Sequence, residues 1–217
     1  MQIAILLFDD FTTLDAIGPY EALGRIPGAE TVFVAKETGL VRGDQGSLAL
    51  LAERPLAEVT APDIVLVPGG PGTDQVERDE EILTWLRAVD ATSAWTTSVC
   101  TGSQVLGAAG LLRGRRATSH WLVLEDLAGH GAVPSKERVV FDGKYVTAAG
   151  VSSGIDMALS LMGRIGGDEL AQTAQLLLEY DPQPPYDAGS VDKAPAELVA
   201  KLRAAVAADA KNPVSGV

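Results

Sequence analysis

The chain has 217 residues, 47% of them hydrophobic and 21% charged, which suffices for one sizeable buried core and argues against intrinsic disorder. Its 29 acidic against 17 basic residues leave a formal charge of −12, so no electropositive surface awaits phosphates and a nucleic-acid partner is not expected. A single cysteine excludes an internal disulfide and any Cys-based zinc or iron–sulfur cluster.

Apolar runs bounded by turn residues predict strands at Gln2 to Phe8, Thr31 to Ala35, Ile64 to Val67, Ala94 to Val99 and Tyr145 to Ala148. Several are apolar nearly throughout, as strands covered on both faces are, and the stretches between them are long enough for crossover helices. The pattern predicts an α/β fold with a largely parallel sheet. Helices are predicted at Asp15 to Gly24, with Pro19 tolerated in a first turn, and at Asp79 to Val89, Thr101 to Gly110, His120 to Ala128, Ser152 to Ile165 and Asp168 to Tyr180. A small accessory hairpin is expected between Val41 and Leu51, around Gly43, Asp44 and Gly46. The prolines of residues 181–190 favour an extended excursion, not a domain boundary, before a last amphipathic helix that begins near Pro195 and carries Leu198, Leu202 and Val206 on one face. No run approaches the roughly 18 apolar residues of a membrane helix, and Met1 leads directly into strand-like sequence without a cationic leader. The expectation is one domain over residues 1–217, cytoplasmic and without a membrane partner.

The junction at Cys100 carries the most chemistry. A β-type run ends at Val99, and small residues at 102, 103, 107, 108 and 109 let a helix start at once and lie close to the sheet. A thiol at a helix N-terminus meets the positive end of the helix dipole and unpaired N–H groups, which favour thiolate and can stabilise charge on a substrate. Ligands of open α/β sheets bind at the carboxyl ends of strands, where this turn lies. A buried core cysteine is the plainer alternative. Two further strand ends are expected to converge there. One is Val67-Pro-Gly-Gly-Pro-Gly72, whose amides at Gly69 and Gly70 can approach a bound group closely. The other is the turn from Phe8 to Asp15, where helix capping is the structural alternative for Asp15. Glu21 is a weaker acid/base candidate, and His120 a candidate pocket residue with a surface or helix-starting role as its alternative.

Competing constellations fail. Gln75 stands where a dinucleotide loop needs glycine, and no Gly-Lys-Ser/Thr occurs. Gly150-Val-Ser152-Ser-Gly154 fits a nucleophile elbow, but the only histidines, His120 and His130, precede it, so Ser152 and Ser153 read as helix-capping residues. The absence of a late His also removes glutamine amidotransferase and papain-like readings.

Ser98-Val-Cys-Thr-Gly-Ser-Gln-Val-Leu-Gly-Ala-Ala-Gly-Leu-Leu112, Arg116-Ala-Thr-Ser-His-Trp121 and Val67-Pro-Gly-Gly-Pro-Gly72 resemble the DJ-1/PfpI superfamily, and Leu14-Asp15-Ala-Ile-Gly-Pro-Tyr-Glu21 with Cys100-Thr101 is most similar to its isonitrile hydratases. The resemblance covers nearly the whole chain. It implies a flavodoxin-like doubly wound fold, a homodimer, Cys100 as nucleophile, Asp15 as its acid/base partner and Thr101 as a second polar group. Gly69 and Gly70, with Thr101, would supply backbone donors, and His120 would line the pocket. The implied reaction hydrates an isonitrile to an N-substituted formamide through a Cys100 thioimidate, with no metal or organic cofactor. Its chemistry is consistent: an isonitrile carbon accepts a nucleophile and then needs a proton, which a thiolate and a carboxylic acid supply together. PfpI-type relatives carry His where this chain has Thr101, and regulator relatives carry a C-terminal helix-turn-helix for which this chain is too short. The alternatives are glyoxalase or deglycase chemistry and a non-enzymatic redox sensor built on Cys100.

Overall fold

The computed structural model describes residues 1–209, which fall into two units, one from Met1 to Glu179 and one from Tyr180 onward. The first holds a seven-stranded sheet. Its strands are β1 (Gln2–Leu6), β2 (Glu30–Ala35), β5 (Arg54–Pro55), β6 (Ile64–Val67), β7 (Trp95–Val99), β10 (Val139–Asp142) and β11 (Tyr145–Ala148). The hairpin β3 (Gly39–Arg42) and β4 (Ala49–Ala52) and the short pair β8 (Arg116–Ala117) and β9 (Val133–Pro134) stand outside it. The sheet order is β10-β11-β7-β6-β1-β2-β5, with every pairing parallel except β10 against β11. This is the expected doubly wound, flavodoxin-like α/β arrangement.

Every residue of β6, and Ile3 to Leu6 of β1, is fully buried. Such branched side chains contribute about 1.5–3 kcal/mol each on leaving water, so the central strands anchor the sheet. Helices α1 (Thr13–Leu23), α2 (Thr73–Val76), α3 (Glu80–Asp90), α4 (Gly102–Ala108), α5 (Ser153–Gly166) and α6 (Asp168–Leu177) connect or follow the strands. The register aligns Leu6, Val67, Val99 and Ala148 at one end of the sheet, so the loops after β1, β6, β7 and β11 open on the same side. In the second unit, residues 181–190 form no regular element, and α7 (Ala196–Asp209) follows Pro195 with Leu198, Leu202 and Val206 exposed.

Four expectations need correction. Helix α1 starts at Thr13, so Pro19 is its seventh residue, beyond the first turn; lacking an N–H, it cannot donate to the Asp15 carbonyl one turn back. The segment expected as a helix from His120 to Ala128 is a run of turns followed by a 3-10 helix at Leu124–His130. Leu124 and Leu127 are its buried residues, and a three-residue apolar spacing fits a 3-10 helix as well as an α-helix. Ser152 and Ser153 do not cap α5 through their side chains: Ser152 Oγ accepts from Arg138, and Ser153 Oγ donates to the Gly150 carbonyl. Strand β10 was absent from the expected set, although Asp142-Gly143 marks the tight turn that pairs it with β11.

Candidate active site

Cys100 sits where β7 turns into α4, with φ at +58°. That left-handed conformation costs a side-chain-bearing residue about 1–2 kcal/mol and is held by its N–H, which reaches the carbonyls of Ala148 (3.1 Å) and Ala149 (3.0 Å) at the end of β11. The Cys100 carbonyl accepts from Ser103 Oγ (3.2 Å) and Ser119 Oγ (3.1 Å). Gly102 allows the tight turn, because a Cβ there would collide with the backbone oxygens of Val67 and Pro68. The residue is 5% exposed.

Asp15 lies in the first turn of α1 and is completely buried. It does not cap the helix; that position belongs to Thr12. Its Oδ2 accepts from Gly69 N–H at 2.9 Å, while Oδ1 is buried without a hydrogen-bond partner among the described residues. Burial pushes the carboxyl from about 3.8 up to about 7, opposed by the Gly69 N–H and by the neighbouring Cys100 thiol and reinforced by the charge of Asp44. Burial pushes the Cys100 thiol up too, and the Asp15 charge adds to the rise; the backbone N–H and side chain of Thr101 offset only part of it. The expected dipole-stabilised resting thiolate is therefore corrected. Desolvation outweighs the short helix, and across neutral pH the pair retains at least one proton.

Thr101 Oγ1 accepts from Gly70 N–H (2.8 Å) and lies 3.3 Å from Thr73 Oγ1, which donates to the Gly70 carbonyl (2.7 Å). Gly69 is fixed at this crossing, since a Cβ there would meet both the backbone and side chain of Thr101. The Gly69 and Gly70 N–H groups, expected as donors to a bound group, are thus both engaged, one by Asp15 and one by Thr101. The Thr101 N–H remains directed at the thiol.

His120 packs its ring against Gly150, next to the residues that hold the Cys100 N–H. Its Nδ1 accepts from Leu122 N–H (3.4 Å), which places the proton on Nε2, and burial lowers its pKa, so the ring is neutral at pH 7. No described contact brings it to the sulfur. Glu21 is exposed and paired with Arg25 at 3.1 Å, away from the pair. Thr73, Thr12 and Asp44 were not singled out for the site. A Thr immediately after the glycine-rich turn, three residues beyond Gly70, is an available signal for the first; the link between the other two spans 32 residues and leaves none. Among the described residues no group of three or more His, Cys, Asp or Glu is arranged to hold a metal, and no helix is long and apolar enough to cross a membrane.

Residues 1–164 match the DJ-1/PfpI family. The chain is 43% identical to the isonitrile hydratase of Pseudomonas putida over 203 residues, 94% of this chain and 89% of that one. It is 28% identical over 144 residues to protein/nucleic acid deglycase 2 of Escherichia coli, covering 65% of this chain and 83% of that one. A THiJ/PfpI family protein from Pseudomonas syringae superposes with a TM-score of 0.92 at 40% identity, over 95% of this chain and 86% of that structure.

Proposed function

The chain belongs to the DJ-1/PfpI family, and from that premise we propose that it is an isonitrile hydratase in which Cys100 and Asp15 share the proton that the reaction moves. The observation that carries this reading is the pair itself, a buried thiol beside a fully buried carboxyl that titrates near neutrality. The likeness to the Pseudomonas putida enzyme supports the substrate class.

In the reactive form the pair holds one proton. Cys100 sulfur bonds to the terminal carbon of R–N≡C as Asp15 takes the thiol proton and delivers it to that carbon, giving R–N=CH–S–Cys100. The Asp15 carboxylate then accepts a proton from water while the hydroxyl adds to the same carbon, and that proton passes to nitrogen. Collapse breaks the C–S bond; the hydroxyl proton returns through Asp15 to sulfur, and R–NH–CHO leaves. One water is consumed per isonitrile, with no net oxidation or reduction. General acid–base assistance of this kind contributes about 10²–10⁴ in rate.

The engaged Gly69 and Gly70 amides favour this reading over attack on an aldehyde. Aldehyde addition develops an oxyanion that needs preorganised donors, and those N–H groups are committed to Asp15 and Thr101. Addition to an isonitrile instead demands a proton at carbon.

The test is turnover of a simple alkyl or aryl isonitrile with formamide followed by NMR, beside an α-oxoaldehyde as competitor. The expected result is formamide from the parent, none from Cys100→Ala, and a loss of at least ~100-fold in Asp15→Asn. Unaltered formamide production by Cys100→Ala, or preferential consumption of the oxoaldehyde, would overturn the assignment. A homodimer accompanies the same reading and is checked by light scattering, which should give twice the chain mass.

A further inference from the structure

We propose that Asp44, on the turn between β3 and β4, is a positioning residue for Asp15, fixing the start of α1 through Thr12 and bringing a negative charge within electrostatic reach of the carboxyl. The proposal rests on the hydratase reading for its kinetic consequence and on geometry for its structural one.

The hairpin lies outside the main sheet, yet its turn is stitched to the loop after β1. Asp10 N–H donates to the Arg42 carbonyl (3.0 Å), Asp44 N–H to the Phe11 carbonyl (2.9 Å) and Thr12 Oγ1 to Asp44 Oδ2 (2.8 Å). Phe11 and Gly43 form a parallel bridge, and Gly43 could carry no Cβ without striking Thr13 Oγ1. A threonine in the N-cap position ordinarily turns its hydroxyl oxygen to the first free N–H groups of the helix. Thr12 makes no such bond and donates to Asp44 instead.

Thr12 is also a backbone node. Its N–H donates to the Gly69 carbonyl (2.7 Å) and its carbonyl accepts from Asp15 N–H (3.0 Å), while Gly69 N–H holds Asp15 Oδ2. Asp44 therefore secures the residue that joins both ends of the clamp on the catalytic carboxyl. Charged groups on the neighbouring elements include Asp9 and Asp10 in the loop, Arg42 on the hairpin, which bonds the Gly46 carbonyl, and Asp156 on α5, paired with Arg138. Among ionisable neighbours, Cys100 and Asp44 bear on Asp15, and Asp44 favours its protonated form. A carboxyl that must carry a proton to carbon at neutral pH benefits from that repulsion.

Two variants separate the roles. Asp44→Asn removes the charge and keeps an acceptor for Thr12; Thr12→Val removes the link and keeps the charge. For Asp44→Asn, the acid limb of kcat/KM should move to lower pH by roughly half a unit with Tm unchanged. For Thr12→Val, kcat should fall about tenfold with the midpoint retained. An unmoved midpoint in Asp44→Asn would overturn the charge role, and full activity in Thr12→Val the positioning role. The pH dependence of Cys100 alkylation by iodoacetamide reads the same pair without substrate. An inflection that moves in Asp44→Asn although no isonitrile is turned over upholds Asp44 and sinks the hydratase reading instead. An inflection that stays put alongside normal turnover does the reverse.

Discussion

At the scale of single residues, the site is governed by desolvation. A carboxyl with no exposed surface, one backbone N–H donor and an oxygen without a hydrogen-bond partner among the described residues holds its proton to about pH 7, and that places it where proton transfer is efficient. The arrangement costs stability. Because the folded pKa lies above the unfolded value, the native state binds more protons between about pH 4 and 7, and stability falls as pH rises through that window. Asp15→Asn escapes this dependence. Thermal unfolding across pH should therefore show the variant gaining on the parent from pH 4 to pH 8, by about 4 kcal/mol at the upper end; parallel curves would contradict a raised Asp15. Thr101→Val should leave the Gly70 N–H unsatisfied and strip one polar neighbour from the thiol. Iodoacetamide should then alkylate Cys100 more slowly at pH 8, and kcat should drop roughly tenfold. Cys100 and Asp15 could be found from sequence because each lies in a contiguous motif at a strand end. Thr12 and Asp44 could not, since a hydroxyl and a carboxylate 32 residues apart leave no local pattern.

At the scale of elements, close backbone approach decides the geometry. Helix α4 is seven residues long, too short to depress the thiol pKa against burial, so its main service is to start immediately after Cys100. Gly102 makes that possible. Gly102→Ala would press a methyl group on the fixed carbonyls of Val67 and Pro68, and differential scanning calorimetry should record a loss of about 2–4 kcal/mol, roughly 5–10 °C in Tm. The strands around this turn were legible because buried parallel strands are continuous apolar runs. Strand β10 is not: its four residues, Val139–Asp142, lie between Arg138 and Gly143 and end in a charged residue, and they are held by pairing with β11 and by tertiary contacts such as that of Phe141 with Trp95. The 3-10 helix after Val123 is indistinguishable from an α-helix in sequence because apolar spacing cannot separate periods of three and 3.6 over a single pair of leucines.

At the scale of the whole molecule, the fold brings four strand ends together while the surface stays strongly acidic. A net charge of −12 repels anions over a Debye length. An isonitrile bearing a carboxylate should therefore show a kcat/KM that rises with ionic strength between 10 and 200 mM, whereas a neutral alkyl isonitrile should show none of that rise. Equal salt responses would mean that the outer field does not reach the path to Cys100. The largely parallel α/β sheet is readable from alternating elements and the doubly wound arrangement from the family motifs, because both depend on local sequence. Which amides remain free to meet a ligand was not, because Gly69 and Gly70 find their partners on α1 and at the start of α4.

The proposed reaction requires a covalent bond between Cys100 sulfur and the isonitrile carbon during turnover. Rapid acid quenching of the parent protein at steady state stops turnover, and mass spectrometry of the intact protein and of its peptides locates the adduct. The expected mass gain is that of one isonitrile, confined to the Cys100 peptide. A label on another residue, or unlabelled protein producing formamide at full rate, would contradict it.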